Sequence, residues 1–272
     1  MAGLLACPEC GLGLEVRDRM LRCGRGHGFD IAKQGYVSLL TGASTKMTGD
    51  TATMLDARAA FQGARHFAPI ADAVVAAVAE PAATVLEVGA GTGYYLAAVL
   101  DAAPAALGIA LDVAKPAARR CARAHPRAAS VLADAWRGLP IADHTMSRVL
   151  AVFAPRNPAE IARVLRADGR FVVATPTPRH LAELIGPLDM VTVDPDKNRR
   201  LADSMAGHFD QLDRMVIDYP MNLSRDDIAH VIGMGPSAFH APATADPRIA
   251  ALPTTTEVTA SVTISVYRPQ LA

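Results

Sequence analysis

The segment Val85-Leu86-Glu87-Val88-Gly89-Ala90-Gly91-Thr92-Gly93 constrains this chain more than any other. Its apolar, β-branched start reads as a buried strand over 84–88. Three glycines at alternate positions, Gly89, Gly91 and Gly93, then permit a sharp bend whose backbone a ligand can approach closely. A helical stretch over 93–102 follows, so the unpaired amides of its first turn face the bend. Strand, glycine bend and helix in that order open a parallel α/β sheet.

The downstream pattern agrees. Apolar runs at 107–111, 130–132, 148–153 and 170–174 alternate with helical spacing at 93–102, 115–124, 158–165 and 180–188, which predicts a doubly wound parallel sheet with helices on both faces. Two later runs, 215–219 and 258–266, suit an antiparallel edge hairpin around a helix at 225–233. Ahead of the bend, 53–61 and 68–79 have helical spacing, closed by the stop signal Glu80-Pro81. Residues 41–50 are small and polar and read as a linker.

The first 40 residues are too few to bury a core of their own. They carry Cys7-x2-Cys10, then Cys23-x3-His27. Two cysteines two residues apart reach one ion from a tight turn, which Pro8 and Gly11 suit, and the intervening residues predict a hairpin of 14–16 on 20–22. The expectation is a Cys3His zinc site, structural because four protein ligands leave no open position. Three of the four cysteines lie in this stretch and Cys121 stands apart, a distribution that fits a reducing compartment rather than a disulfide framework. The chain opens with no basic-then-apolar leader, and no apolar run approaches the roughly 18 to 20 residues of a membrane span, so a cytoplasmic protein is expected.

Asp112 ends the second strand of the alternation, where a carboxylate is able to accept both hydroxyls of a ribose. The spacing is G-x-G-x-G after an acidic residue, Glu87, and not the G-x-G-x-x-G of dinucleotide sites. It resembles motif I of S-adenosylmethionine-dependent methyltransferases. Asp134, after the third strand, matches the position that meets the adenine in that class. The resemblance places the cofactor on Glu87, Gly89, Gly91, Gly93, Tyr94, Asp112, Asp134 and Ala135. For Asp112 and Asp134 a helix cap or solvated loop is the alternative reading.

With both motifs in view the chain resembles the 23S ribosomal RNA guanine-N1 methyltransferase family, and in Ala154-Pro155-Arg156-Asn157-Pro158 its actinomycete branch, which gives resistance to mycinosylated macrolides such as tylosin. The resemblance is carried by Cys7-Pro8-x-Cys10, by the run from Gly26-His27 through Gly35-Tyr36-Val37 to Leu39-Leu40, by Gly49-Asp50, Ala57-Arg58 and His66, by the glycine bend, by Phe153 to Pro158, by Arg179-His180-Leu181 and by Met234-Gly235-Pro236-Ser237. It covers nearly the whole length. Ser38 stands where relatives usually have Asn, and Glu-Val-Gly-Ala-Gly where they often have Asp-Ile-Gly-Gly-Gly; neither change removes a needed functional group. The resemblance implies a zinc-binding RNA-recognition module over 1–40, a linker with helices over 41–80 and a Rossmann-like class I methyltransferase domain over 81–272. It also implies a homodimer that methylates N1 of a guanine in a hairpin loop lining the peptide exit tunnel.

In such a sheet, ligands lie beyond the carboxyl ends of the strands, which nominates Phe153, Arg156 and Asn157 to stack on a flipped base or meet its Watson–Crick edge. A strand end followed by an Arg-Asn-Pro helix start explains the same residues without substrate. The 27 basic and 27 acidic residues cancel, so RNA must be met locally. Arg17, Arg19, Arg22, Arg25, Lys33 and Lys46 outnumber Glu9, Glu15, Asp18 and Asp30 by two in the first 46 residues, a modest excess. Arg119, Arg120, Arg123 and Arg127 read as a solvated helix face, and Tyr36 and Phe29 as core. Two competing functions remain: a small-molecule methyltransferase with a structural zinc lobe, and a non-catalytic zinc-ribbon RNA-binding protein.

Overall fold

The computed structural model describes residues 1–42, 45, 47–78, 82–190, 192, 197–235 and 246–270. Lys46, the Glu80-Pro81 stop and Pro236-Ser237 lie outside the described residues. At the front, β1 (Leu14–Arg17), β2 (Met20–Cys23) and β3 (Gly28–Asp30) form an antiparallel three-stranded ribbon in that order. Then come β4 (Tyr36–Ser38), α1 (Ala52–Gly63) and α2 (Ala68–Val78). The alternating region follows as β5 (Thr84–Val88), α3 (Tyr94–Ala102), β6 (Leu107–Asp112), α4 (Lys115–Cys121), β7 (Ala128–Leu132), β8 (Met146–Val152), α5 (Pro158–Val164) and β9 (Leu165–Pro176). The last part is α6 (Ala182–Leu188), α7 (Lys197–Met205), β10 (Phe209–Ser224), α8 (Arg225–Gly233), α9 (Pro247–Ala251) and β11 (Thr255–Pro269).

The large sheet has eight strands in the order β10-β11-β9-β8-β5-β6-β7-β4. Pairing is parallel from β4 to β9 and antiparallel at β9–β11 and β11–β10, so the late hairpin adds to one edge as expected. From β5 the chain builds outward through β6 and β7, then returns to place β8 on β5's other side. The strand order therefore reverses between β5 and β8, and a crevice opens there at the carboxyl ends. All seven residues of β8 are buried, which is why it reads as a continuous run and not an alternating one.

Residues 36–38, counted with the zinc-binding module in the sequence, form the far edge strand of this sheet: Tyr36, Val37 and Ser38 pair with Ser130, Val131 and Leu132 of β7. The ribbon is also tied to the sheet by apolar packing. Leu5, Cys7, Leu14, Leu21 and Cys23 belong to the same buried cluster as Leu86 and Val88 of β5 and Val149 of β8. Ala6 N–H donates to the Pro140 carbonyl at 3.1 Å and Ala142 N–H to that of Leu4 at 2.9 Å. The short front segment thus borrows a core it is too small to make, in addition to whatever a metal supplies. Arg127 differs from its expected solvated position: its guanidinium donates to the Leu100, Ala103 and Ala106 carbonyls around the end of α3, satisfying acceptors that a helix terminus leaves open.

Candidate active site and metal centre

Cys7, Cys10, Cys23 and His27 come together with their donor atoms within 4.8 Å of one another. In a tetrahedron with zinc–sulfur bonds of about 2.3 Å and zinc–nitrogen bonds of about 2.0 Å, adjacent donors sit about 3.5 to 3.8 Å apart. Here Cys7 Sγ and Cys23 Sγ each lie 3.5 Å from His27 Nδ1, and Cys10 Sγ lies 3.7 Å from Cys23 Sγ. The donor set and spacing fit zinc, with four protein donors among the described residues. Each knuckle is a tight turn: the Cys7 carbonyl accepts from Cys10 and Gly11 N–H, and the Cys23 carbonyl accepts from Gly26 N–H. Gly11 at φ 74° and Gly26 at φ 89° close the two turns in the left-handed region.

At the strand-order reversal lies a cavity of about 690 Å³. The bend after β5 reaches its wall through Gly89 and Ala90, while Gly91 lies under Arg58 and Gly93 against α4; the three glycines have φ of 69°, 56° and 78°. A Cβ on Gly89 would come within 2.6 Å of Ala154 Cβ at the end of β8, so the two central strands meet without room for a side chain. Asp112 pins the bend, accepting from Gly91 N–H and Ala114 N–H, both at 2.8 Å. Burial pushes its carboxyl up, and these two amides hold it down. Arg58 closes the bend from above, paired with Asp50 at 2.6 Å and donating to the Met234 carbonyl at 3.0 Å. The Tyr95 hydroxyl, on a residue of the cavity wall, is buried without a hydrogen-bond partner among the described residues, as expected of a group that meets a ligand. These features fit S-adenosylmethionine. Asp112 would hold the ribose, the bend amides the methionine end, and Asp134 with Ala135 the adenine edge.

Glu87 lines the cavity and also caps the helix beneath it. Gly93 offers no side chain to cap α3, and Glu87 Oε2 instead accepts from Leu96 N–H at 3.0 Å. The residue is 1 % exposed, and burial pushes its carboxyl up to about 8. Because the folded value lies above the unfolded one of about 4.5, the native state keeps a proton that the unfolded chain releases. Stability therefore falls as pH rises from about 4.5 to about 8 and levels off above that. Glu87→Gln keeps the acceptor and removes the charge. Its melting temperature is expected to match wild type near pH 5 and exceed it near pH 8, and superimposable profiles would remove Glu87 as the source.

Other nominated residues divide. Asp134 and Ala135 line the cavity, and Asp134 also caps the turn after β7, accepting from Trp136 N–H at 3.0 Å and from the Thr45 hydroxyl at 2.6 Å. Tyr94 is not on the wall; its neighbour Tyr95 is, because one helical step rotates a side chain by about 100°. Phe153 is on the wall, but Arg156 and Asn157 are not. Arg156 folds back to the Ala154 carbonyl at 3.1 Å, and Asn157 is the N-cap of α5, accepting from Glu160 N–H at 3.4 Å with Pro158 following. The helix-start reading therefore describes these two. His66 serves to tie the fold together, pairing with Asp227 of α8 at 3.0 Å. Gln62, which accepts from the Thr92 hydroxyl at 2.6 Å, and the wall residues Phe67, Trp136 and Tyr95 went unnoticed in the sequence. Trp136, directly after Asp134-Ala135, was the one with a visible signal.

Phe153 has a left-handed backbone at φ 53°, unusual for a bulky residue, held by its N–H on the Ala174 carbonyl at 3.0 Å. This aims the ring off the end of β8 into the cavity mouth, 39 % exposed, stacked on His180 at 5.8 Å and 25° and close to Phe67 at 6.0 Å. Ser261 N–H donates to His180 Nδ1 at 3.2 Å, so the neutral imidazole carries its proton on Nε2.

Among solved structures, that of a protein described as a Type II methyltransferase of Anaeromyxobacter dehalogenans superposes with a TM-score of 0.51, covering 74% of this chain and 95% of that one at 17% identity. The sheet, the glycine bend and the acidic strand end define a class I S-adenosylmethionine-dependent methyltransferase fold, preceded by a zinc ribbon. The family model described as RlmA, N-terminal, a zinc ribbon, matches residues 5–44. A protein of Micromonospora griseorubida described as a 23S rRNA (guanine-N(1)-)-methyltransferase is 47% identical over 97% of both chains. The 23S rRNA (guanine(748)-N(1))-methyltransferase of Streptomyces fradiae is 44% identical over 97% of this chain and 96% of its own. The chain belongs to the 23S rRNA (guanine-N1) methyltransferase family.

Proposed function

We propose that this protein transfers a methyl group from S-adenosylmethionine to N1 of a guanine in a 23S ribosomal RNA hairpin loop at the peptide exit tunnel, and that the modification gives resistance to macrolides bound there. The observation that carries this reading is Phe153, a strained and exposed aromatic at the mouth of a cavity built for the donor. The relatives named above support the substrate.

The donor, when bound, supplies an electrophilic methyl on a sulfonium that leaves as a thioether. The chain's own work is positioning. Phe153, braced by His180 and Phe67, would hold an extruded base flat, which limits the directions from which N1 meets the methyl carbon. Acidic groups of the wall are each engaged: Asp50 with Arg58, Glu87 with the Leu96 amide, Asp112 with the bend and Ala114 amides, Asp134 with Thr45 and the Trp136 amide. The apolar rings around Phe153 would shield the face of the base, while N1, as its lone pair takes the methyl and the sulfonium C–S bond breaks, would give up its proton to bulk water at the open mouth.

Three parts of the reading extend from there. The ribbon over 1–40 would grip RNA alongside the domain over 81–272. A homodimer is supported by β10, an edge strand with Leu212, Met215 and Val216 exposed. A ribosomal RNA substrate puts the enzyme in the cytoplasm; among the described residues no helix is long and apolar enough to cross a membrane.

Primer extension on 23S ribosomal RNA from cells with and without the protein tests the reading, since a methyl on N1 blocks base pairing and halts reverse transcriptase. A new stop at a loop guanine, accompanied by raised macrolide tolerance, is expected; identical extension patterns overturn it. Phe153→Ala is expected to lower kcat/KM for RNA by roughly 10- to 100-fold, the worth of one base–aromatic stack, with donor affinity unchanged by calorimetry. A matching loss of donor affinity would place Phe153 in the cofactor site instead.

A further inference from the structure

We infer that Trp136 and the crevice beside it form a second RNA subsite, which receives a nucleotide flanking the target guanine. This rests on the RNA reading above and adds to it a place for a second base. Trp136 is the only tryptophan of the chain, in a sequence only 5% aromatic. It is 51 % exposed although it lines the cofactor cavity, and its backbone is fixed by the Asp134 carboxylate accepting its N–H at 3.0 Å. A large, rigidly placed aromatic left open at the mouth of a nucleic-acid enzyme's cavity is a stacking platform.

A second crevice of about 580 Å³ lies behind the same turn. It runs between the first zinc knuckle, Cys7 and Pro8, and Arg137 to Pro140, and shares Ala133 and Asp134 with the cofactor cavity. Its charges are largely spent within its own wall: Arg163 pairs with Glu160 at 2.7 Å and Asp143 at 2.5 Å and donates to the Leu139 and Ile141 carbonyls. The crevice is polar without a strong positive field, which suits a base edge or ribose rather than a phosphate. Phe153 follows β8 and Trp136 follows β7, three strand intervals apart in the sheet, or roughly 14 Å at about 4.8 Å per interval. A span of that order between the strand ends suits two bases splayed from one loop, the first over Phe153 and the second over Trp136, whose neighbour Arg137 lines the crevice.

Because the chain has a single tryptophan, its intrinsic fluorescence reports this position alone. The full-length zinc-loaded protein is titrated first with S-adenosylhomocysteine, then with a transcribed 23S hairpin, and KM for the hairpin is measured for wild type, W136F and W136A. Expected are quenching by the hairpin beyond any change from S-adenosylhomocysteine, a KM raised about 5- to 100-fold in W136A with donor affinity unchanged, and near wild-type behaviour of W136F. Quenching by S-adenosylhomocysteine alone, with no further effect of RNA, would assign the ring to the cofactor's adenine and overturn the inference. So would an unchanged KM in W136A. If W136A fails to fold, the wild-type titration still decides. A wild type that methylates the hairpin while Trp136 is indifferent defeats this inference only; a wild type that does not methylate it defeats the RNA reading as well.

Discussion

Asp112→Ala is expected to weaken S-adenosylmethionine binding by about 100-fold, the largest effect of any single side-chain truncation in the cofactor cavity. Two losses combine. The carboxylate would no longer be present to accept ribose hydroxyls, and charge-assisted bonds of that kind are worth about 1.5 to 3 kcal/mol. The Gly91 and Ala114 amides, each 2.8 Å from this carboxylate, would also lose their acceptor, which loosens the bend before any ligand arrives. Asp112→Asn keeps an acceptor oxygen for one amide, so it is expected to restore part of the melting temperature and little of the affinity. Calorimetry and thermal melts on the three proteins separate the two contributions. Unchanged affinity in the alanine variant would take Asp112 out of the site.

Cys7→Ser should abolish stoichiometric zinc and lower the melting temperature of the whole protein by roughly 10 °C, not merely release a loose front segment. The reason is the packing of Leu5, Cys7, Leu14, Leu21 and Cys23 in the cluster that backs β5 and β8. An isolated ribbon would melt alone; this one shares its core. Zinc content by mass spectrometry together with calorimetric melts is the measurement. Cys121→Ser is the control: that thiol is buried against the Gly91 carbonyl at 3.4 Å, outside the metal cluster, and its replacement should leave zinc in place. Full zinc in Cys7→Ser, or a separate low-temperature transition of the ribbon alone, would contradict the shared-core account.

Where a local pattern decides structure, the sequence was legible. β5 and α8 have the expected ends, because the first is bounded by the glycine bend and the second by Ser224, whose side chain and that of Asp227 form a reciprocal cap. The late strands were read short. β10 spans Phe209–Ser224 and not 215–219, since polar residues such as Asp210, Asp213 and Asn222 interrupt the apolar ones beyond that run and its pairing to β11 holds it extended. The three residues of β4 make too short a run to read as a strand, although Tyr36 and Val37 favour one, and their partners on β7 fix it. Sites followed the same rule. The ligand spacing of Cys7, Cys10, Cys23 and His27 and the glycine bend are local, and both were visible. Which of Phe153, Arg156 and Asn157 meets the cavity depends on the Asn157 cap, which Asn-Pro signals, and on a backbone angle at Phe153, which residue type does not give.

β4 joins the metal end of the molecule to the donor end by covalent continuity. Leu39, just past it, donates its N–H to the Leu132 carbonyl at 2.9 Å, and the next residue, Ala133, donates to the Asp112 carbonyl at 3.0 Å. A metal that orders the front of the chain thereby orders the strand supporting both acidic anchors of the cofactor cavity. Chelating zinc is therefore expected to lower the affinity for the methyl donor, and by reciprocity donor binding is expected to raise the affinity for zinc by the same factor; equal donor affinity before and after chelation would break that link.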